Sequence, residues 1–176
     1  LASPMAQTET MNALYRSAER QCVDNLVNLS AATWRKPVKG KEKTLLPVND
    51  RLKPHSRKPR HITIHYSGVK AQPEDPLRKK LRGLFNYSIN GTSELKKNLW
   101  GDIPYHFYLD ANNNLGEGRA VGYQPDTNTN YNPDGHITIV VEGDNSDNLS
   151  PDRKAKLFQL IEALQNKYDL PASAVG

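Results

Sequence analysis

The sequence predicts an α/β (α+β) fold, a central mixed β-sheet flanked by helices, and three observations predict it. Two short segments, 61–66 and 136–143, carry the alternation or continuous apolar run of strands. A turn-punctuated hairpin lies between them, and stretches of helical periodicity follow each. At 176 residues the chain is long enough for one domain with its own core and about a quarter left for extensions.

The first element is an extra helix. Over 8–33 the apolar positions Met11, Leu14, Tyr15, Ala18, Cys22, Leu26 and Leu29 recur at three- and four-residue steps, one face of an amphipathic helix that something must cover. A second copy, a protein partner or the rest of the chain could do so. From 35 to 60 no period holds, and Pro37, Pro47, Pro54 and Pro59 punctuate a lysine- and arginine-rich stretch, which reads as an extended linker that wraps the domain or hangs free. The expected organisation is a helix at 1–34, a basic linker at 35–60 and a domain at 61–176.

Within that domain, His61-Ile62-Thr63-Ile64-His65-Tyr66 alternates strictly, with Ile62 and Ile64 on one side and His61, Thr63 and His65 on the other. Leu77, Leu81, Leu84 and Phe85 give 75–98 a helical spacing, interrupted at Asn90-Gly91. Residues 104–110 read as a strand, Asn112-Asn113-Asn114 as a turn and 115–121 as the returning strand. A Gly-, Pro- and Asn-rich loop covers 122–135. The apolar centre of 136–143 predicts a strand inside the sheet. Ser150 as N-cap and Pro151 at the first helical position open a helix over 151–169, with Leu157, Leu160, Ile161, Leu164 and Tyr168 as its buried stripe.

Charge is unevenly placed. The net charge is +5, yet residues 35–60 hold ten Lys or Arg against Glu42 and Asp50, a local +8 beside a remainder of −3. A basic strip on a mildly acidic domain suits a solvated linker or loose attraction to an anionic polymer or membrane surface, and argues against a fold built around nucleic acid. No apolar run approaches the roughly 18 residues that cross a bilayer. Cys22 is the only cysteine, so no intrachain disulfide forms; a small apolar residue on a helix is its ordinary role. A first residue other than Met leaves two readings open, a removed signal peptide or a native start at Met5.

Chemistry is harder to place from residues alone. Of the five histidines, His61 and His65 imitate a His-x3-His metal pair, but on a strand they stand about 13 Å apart, so at most one of them serves a given ion. Ordered motifs say more. Ile64-His65-Tyr66-Ser67, then Asp102-Ile103-Pro104-Tyr105-His106-Phe107-Tyr108-Leu109-Asp110 with Leu115-Gly116-Glu117-Gly118-Arg119, then Asn128-Thr129-Asn130, Gly135-His136 and Val141-Glu142-Gly143 follow one another in order. Together they resemble the type 2 N-acetylmuramoyl-L-alanine amidase and peptidoglycan recognition protein (PGRP) family over about 61–176.

The resemblance implies a peptidoglycan hydrolase of bacterial or phage type that cleaves the amide between N-acetylmuramic acid and L-alanine with a zinc-activated water. The alternative is a non-catalytic muropeptide-binding module of the same fold. It implies His65 as a zinc ligand and Tyr105 as a hydrogen-bond donor to the developing oxyanion or an orienter of the water. Relatives that use a glutamate as general base align it with Val140 here; Glu142, two residues on and on the same face, is the candidate, against a structural acceptor for backbone or for Arg119. His136 shares that face where the family has a small polar residue, and is not expected to be a ligand. The family's second and third ligands lie in a Gly-His-Arg-Asp-like segment and a later Cys or Asp, which would follow Gly176. One histidine holds catalytic zinc poorly, so residues 1–176 by themselves are expected to be weakly metallated or metal-free and inactive as an amidase. A periplasmic, envelope or secreted location follows from the resemblance, with a cytoplasmic stage before export or phage delivery as the alternative.

Overall fold

A computed structural model describes residues 34–40, 43–91 and 100–176. The expected N-terminal helix over 8–33, Cys22 and residues 92–98 of the 75–98 stretch lie outside the described residues. The described part is a four-stranded sheet in the order β1-β4-β2-β3. Its strands are β1 (His61–Tyr66), β2 (Phe107–Leu109), β3 (Leu115–Glu117) and β4 (His136–Val141), with helices α1 (Leu77–Asn90) and α2 (Pro151–Tyr168). β4 pairs in parallel with β1 and with β2, while β2 and β3 form an antiparallel hairpin, so the sheet is mixed as expected.

β4 occupies the middle because it has apolar or hydrogen-bonded side chains for both faces. Ile137, Ile139 and Val141 join Ile62, Phe107 and Leu109 on one face, where Leu157, Leu160, Ile161 and Leu164 of α2 cover them. On the other face Val140 and Tyr108 pack with Leu81 and Phe85 of α1. Gly116 of β3 allows that approach: a Cβ there would stand 2.6 Å from Leu81 Cδ1.

The helix ends follow their sequence signals. Ser150 Oγ accepts from the Arg153 N–H at 3.3 Å, Pro151 opens α2, and Asp169 ends it in the left-handed region at φ 56°. α1 stops at Asn90 before Gly91, whose φ is 63°. After α2 the chain returns to the sheet, where Val175 bridges Ile62 in parallel and Gly176 exchanges hydrogen bonds with Ile62 and Ile64 at 3.0 and 2.9 Å. The backbone at Gly176 therefore runs along the outer edge of β1 toward His65.

Two expected strands are shorter than read. Only Phe107–Leu109 of 104–110 is strand; Pro104 has no N–H to give, while Tyr105 O still accepts from the Arg119 N–H at 2.9 Å. Its partner stops at Glu117, beyond which Arg119 turns inward.

The described part of 35–60 wraps the domain. Trp34 and the side chains of Leu45 and Leu52 are buried. Trp34 Nε1 donates to Glu117 O at 2.8 Å on β3, the last strand of the sheet, its ring meets Phe85 at 5.8 Å, and Arg35 lies over it at 4.3 Å. Arg35 then ties this segment to the hairpin through Asp102 at 2.7 Å and Gly118 O at 2.9 Å. A fully buried Trp that fills the space between α1 and β3 predicts that Trp34→Ala lowers unfolding free energy by about 3–5 kcal/mol. Urea unfolding checks it; a loss under about 1 kcal/mol contradicts Trp34 as a core residue.

Candidate functional site

Side-chain alternation on β1 and β4 builds the floor of the site. His65 and Val140 are register partners, so both point to the α1 face, with Thr138 and Glu142 one step either side of Val140. Over that floor lies a cleft of about 800 Å³, walled by α1 with Lys79, Leu84 and Tyr87, by Trp100, and by Asp126 to Thr129 of the 122–135 loop. His65, Tyr105 and Glu142 all line it.

His65 and Tyr105 come together, their rings 5.6 Å apart. His65 Nε2 lies 3.1 Å from the Tyr131 hydroxyl, which is also 3.1 Å from Thr127 Oγ1. Burial holds the His65 imidazole below its ordinary range, so it is neutral at pH 7 and able to accept a hydrogen bond or ligate a cation. Burial, and then the neighbouring Tyr131, push the Tyr105 phenol up, so it keeps its proton and can donate.

Glu142 is engaged elsewhere. Its carboxylate accepts from Lys80 Nζ at 2.8 Å and from the N–H groups of Gln72 at 2.9 Å and Ala111 at 2.6 Å. Lys80 is itself buried and lies 3.8 Å from the buried Asp110, whose oxygens accept from Asn112 N and Asn114 N in the hairpin turn. This is the arrangement of a structural acceptor, with Lys80 and two backbone amides in place of Arg119. Arg119 instead donates to the carbonyls of Ile103, Gln124, Trp100 and Asp102, a buried guanidinium that fastens the hairpin to the loop.

The remaining histidines separate as the strand geometry requires. His61 stacks on His136 at 4.6 Å, and His136 Nδ1 lies 2.8 Å from Thr63 Oγ1. Tyr131 stands between this pair and His65, 4.6 Å from the His136 ring. His106 is fully buried: Nδ1 accepts from the Thr138 N–H at 2.9 Å and Nε2 donates to Tyr123 O at 2.8 Å, so both nitrogens are committed. His55 is held between Gly135 N–H and Asp134, whose carboxyl is kept well below the usual range by hydrogen bonds from Ser56.

A search of family models finds no match, nor does a search of curated proteins. Solved structures do match. Drosophila PGRP-SD aligns at TM-score 0.58 and 19% identity over 71% of this chain and 72% of that one. The amidase endolysin LysCS of Clostridium intestinale aligns at 0.51 and 20%, over 68% of each chain. A point variant of Drosophila PGRP-LB, solved with tracheal cytotoxin, aligns at 0.56 and 19% over 70% of each. The chain has the PGRP and type 2 amidase fold.

Within this fold a catalytic zinc needs three protein donors around one point. Among the described residues no three His, Cys, Asp or Glu side chains form such a group. Sequence reasoning missed Lys80 and Tyr131, which hold Glu142 and His65. Lys80 lies three residues after Leu77 on the cleft side of α1, and helical spacing could have marked it; Tyr131 sits in a loop without period and gave no signal.

Burial takes His106 down to about 3, opposed by the Tyr123 carbonyl and helped by His55 and Arg119. The folded state then holds no proton there above about pH 3, whereas the unfolded chain takes one below about 6.5. Stability is complete above pH 6.5 and falls by ~1.4 kcal/mol per pH unit on acidification toward 3. His106 contributes about 2 kcal/mol to the difference in urea unfolding between pH 7.5 and 5.0, to which His65 and His136, also lowered by burial, add and the raised carboxyls of Asp102 and Asp126 run counter; His106→Gln should remove that contribution, and an unchanged pH dependence in the variant would show His106 protonated in the fold. Glu142→Gln leaves Lys80 beside one buried carboxylate and should cost about 2–4 kcal/mol, while Tyr105→Phe stays within about 1. The same urea measurements decide it.

Proposed function

We propose that this protein acts on peptidoglycan, seating a muropeptide in the cleft between α1 and the 122–135 loop. The observation that carries this reading is the pairing of a neutral His65 with a protonated Tyr105 on the floor of an open cleft of about 800 Å³, in a PGRP-type fold. The cleft has the composition such a ligand needs. Tyr87 and Trp100, 6.0 Å apart, offer apolar ring surface to sugar or alkyl groups, while Lys79, Asp126 and Thr127 offer polar partners to a peptide stem.

The muramyl–alanyl amide belongs at the His65 and Tyr105 end. Tyr105 donates its phenolic hydrogen bond to the amide carbonyl, and His65 accepts there. Lys80 and Glu142 keep the ends of β2 and β4 in place beneath them, and Glu142 takes no part in proton transfer. Hydrolysis of that amide, with zinc supplying the activated water, is the second reading, favoured by the presence of His65 at the position the family uses for a ligand. The residues described here do not complete a zinc site.

Two measurements test these readings on the purified protein. Titration with an N-acetylmuramoyl tripeptide should show saturable binding, weakened at least fivefold by His65→Ala and by Tyr105→Phe; no binding, or unchanged affinity in both variants, contradicts the cleft assignment. Release of stem peptides from purified peptidoglycan, lost on chelation and in His65→Ala, supports hydrolysis, whereas activity retained in His65→Ala removes His65 from the metal.

A further inference from the structure

The basic stretch has no part in the cleft, yet it is neither free nor neutralised. Nine of its cations are described, and among the described residues only Arg35 and Arg57 form ion pairs, with Asp102 and Asp134. Lys36, Lys39, Lys43, Arg51, Lys53, Lys58 and Arg60 are exposed.

Four of these stand on one fastened segment. Leu52 is buried, Gln124 N donates to Lys53 O at 2.8 Å, Pro54 bridges Tyr123, His55 N donates to Gly122 O at 3.1 Å, and Arg60 N donates to Gly135 O at 2.7 Å. Arg51, Lys53, Lys58 and Arg60 are thus displayed at set positions along the back of the 122–135 loop. Beside Lys58 lies an open concavity of about 450 Å³, lined also by Ser56, Arg57, Gly122 and Tyr168. The nearby acid Asp134 is already occupied by Ser56, Arg57 and His55.

Fixing cations of one sign on a rigid backbone costs self-repulsion, which a flexible polyanion relieves by counterion release without a shaped pocket. We propose that residues 51–60 form a docking strip for a phosphodiester-linked anionic polymer of the cell envelope, bound alongside the peptidoglycan the cleft receives. The choice of an envelope polymer rests on the peptidoglycan reading; the polyanion strip itself does not. Nucleic acid fits less well, because 51–60 contains no Phe, Tyr or Trp for base stacking and the chain outside the whole basic stretch 35–60 carries −3.

The strip operates through charge alone, so salt and charge reversal both read it. Poly(glycerol phosphate) should bind the full chain at low salt and lose about tenfold or more in affinity between 50 and 200 mM salt. Lys53→Glu/Lys58→Glu/Arg60→Glu should weaken that binding at least tenfold, and the uncharged Lys53→Gln/Lys58→Gln/Arg60→Gln by an intermediate factor, which serves if the reversed variant fails to fold. Lys154→Glu/Lys156→Glu on α2 should change it less than twofold. Muropeptide affinity of the strip variants should stay at the parent value, so loss of one binding without the other separates the two proposals. Parent-like polymer binding by the glutamine variant, or tighter binding of duplex DNA than of the polymer at equal phosphate concentration, overturns the inference.

Discussion

The parity of β4 is the constraint on which the rest of the structure depends. Its side chains alternate between an apolar set for α2 and a set of His136, Thr138, Val140 and Glu142 for the other face. A slip of one residue against β1 would put Ile137, Ile139 and Val141 into the cleft and Glu142 under α2. Every functional candidate takes its place from this register, since His65 is level with Val140 and Tyr108 with the same residue on the other side.

Polar groups then fix what the apolar core leaves adjustable. Dispersion and hydrophobic burial hold α1 on the sheet but tolerate sliding, whereas a buried ammonium between two carboxylates does not. Lys80 sits between Glu142 at the end of β4 and Asp110 at the end of β2, and so sets where α1, one cleft wall, stands over the floor. The other wall, the 122–135 loop, is set by His106, Arg119 and Asp134, three buried or engaged groups that grip its backbone or its neighbours. Such groups are costly to bury unless every bond is made, which makes the cleft walls sensitive to single substitutions and to acid.

The two faces of function differ in physical kind. The cleft has shape, ring surface and neutral hydrogen-bonding groups kept neutral by burial, which suits a ligand recognised by its covalent structure. The 51–60 strip offers exposed charge on a fastened backbone, which suits a ligand recognised by its charge density. Their connection is the 122–135 loop, which lines the cleft with Asp126 to Thr129 and carries the strip on its back through Tyr123, Gln124 and Gly135.

The sequence by itself determined the elements and their faces, because strand alternation, helical spacing and the Ser150-Pro151 cap are local consequences of backbone geometry. It also placed His65 and Tyr105 in an ordered set of motifs whose fold the solved structures share. Strand lengths near Pro104 and Arg119 were not legible, since they depend on where a proline lacks a partner and an arginine finds four carbonyls. Nor was the partner of Glu142. Alternation gives the direction in which a carboxylate points, but only tertiary structure decides which donors arrive there, and here Lys80 and two loop amides from distant segments reach it first. The same holds for Trp34 and the basic stretch: an aperiodic segment carries no local signal of its course, and its path is decided by the Glu117 carbonyl that Trp34 Nε1 reaches on β3 and the space beside Phe85 that Trp34 fills.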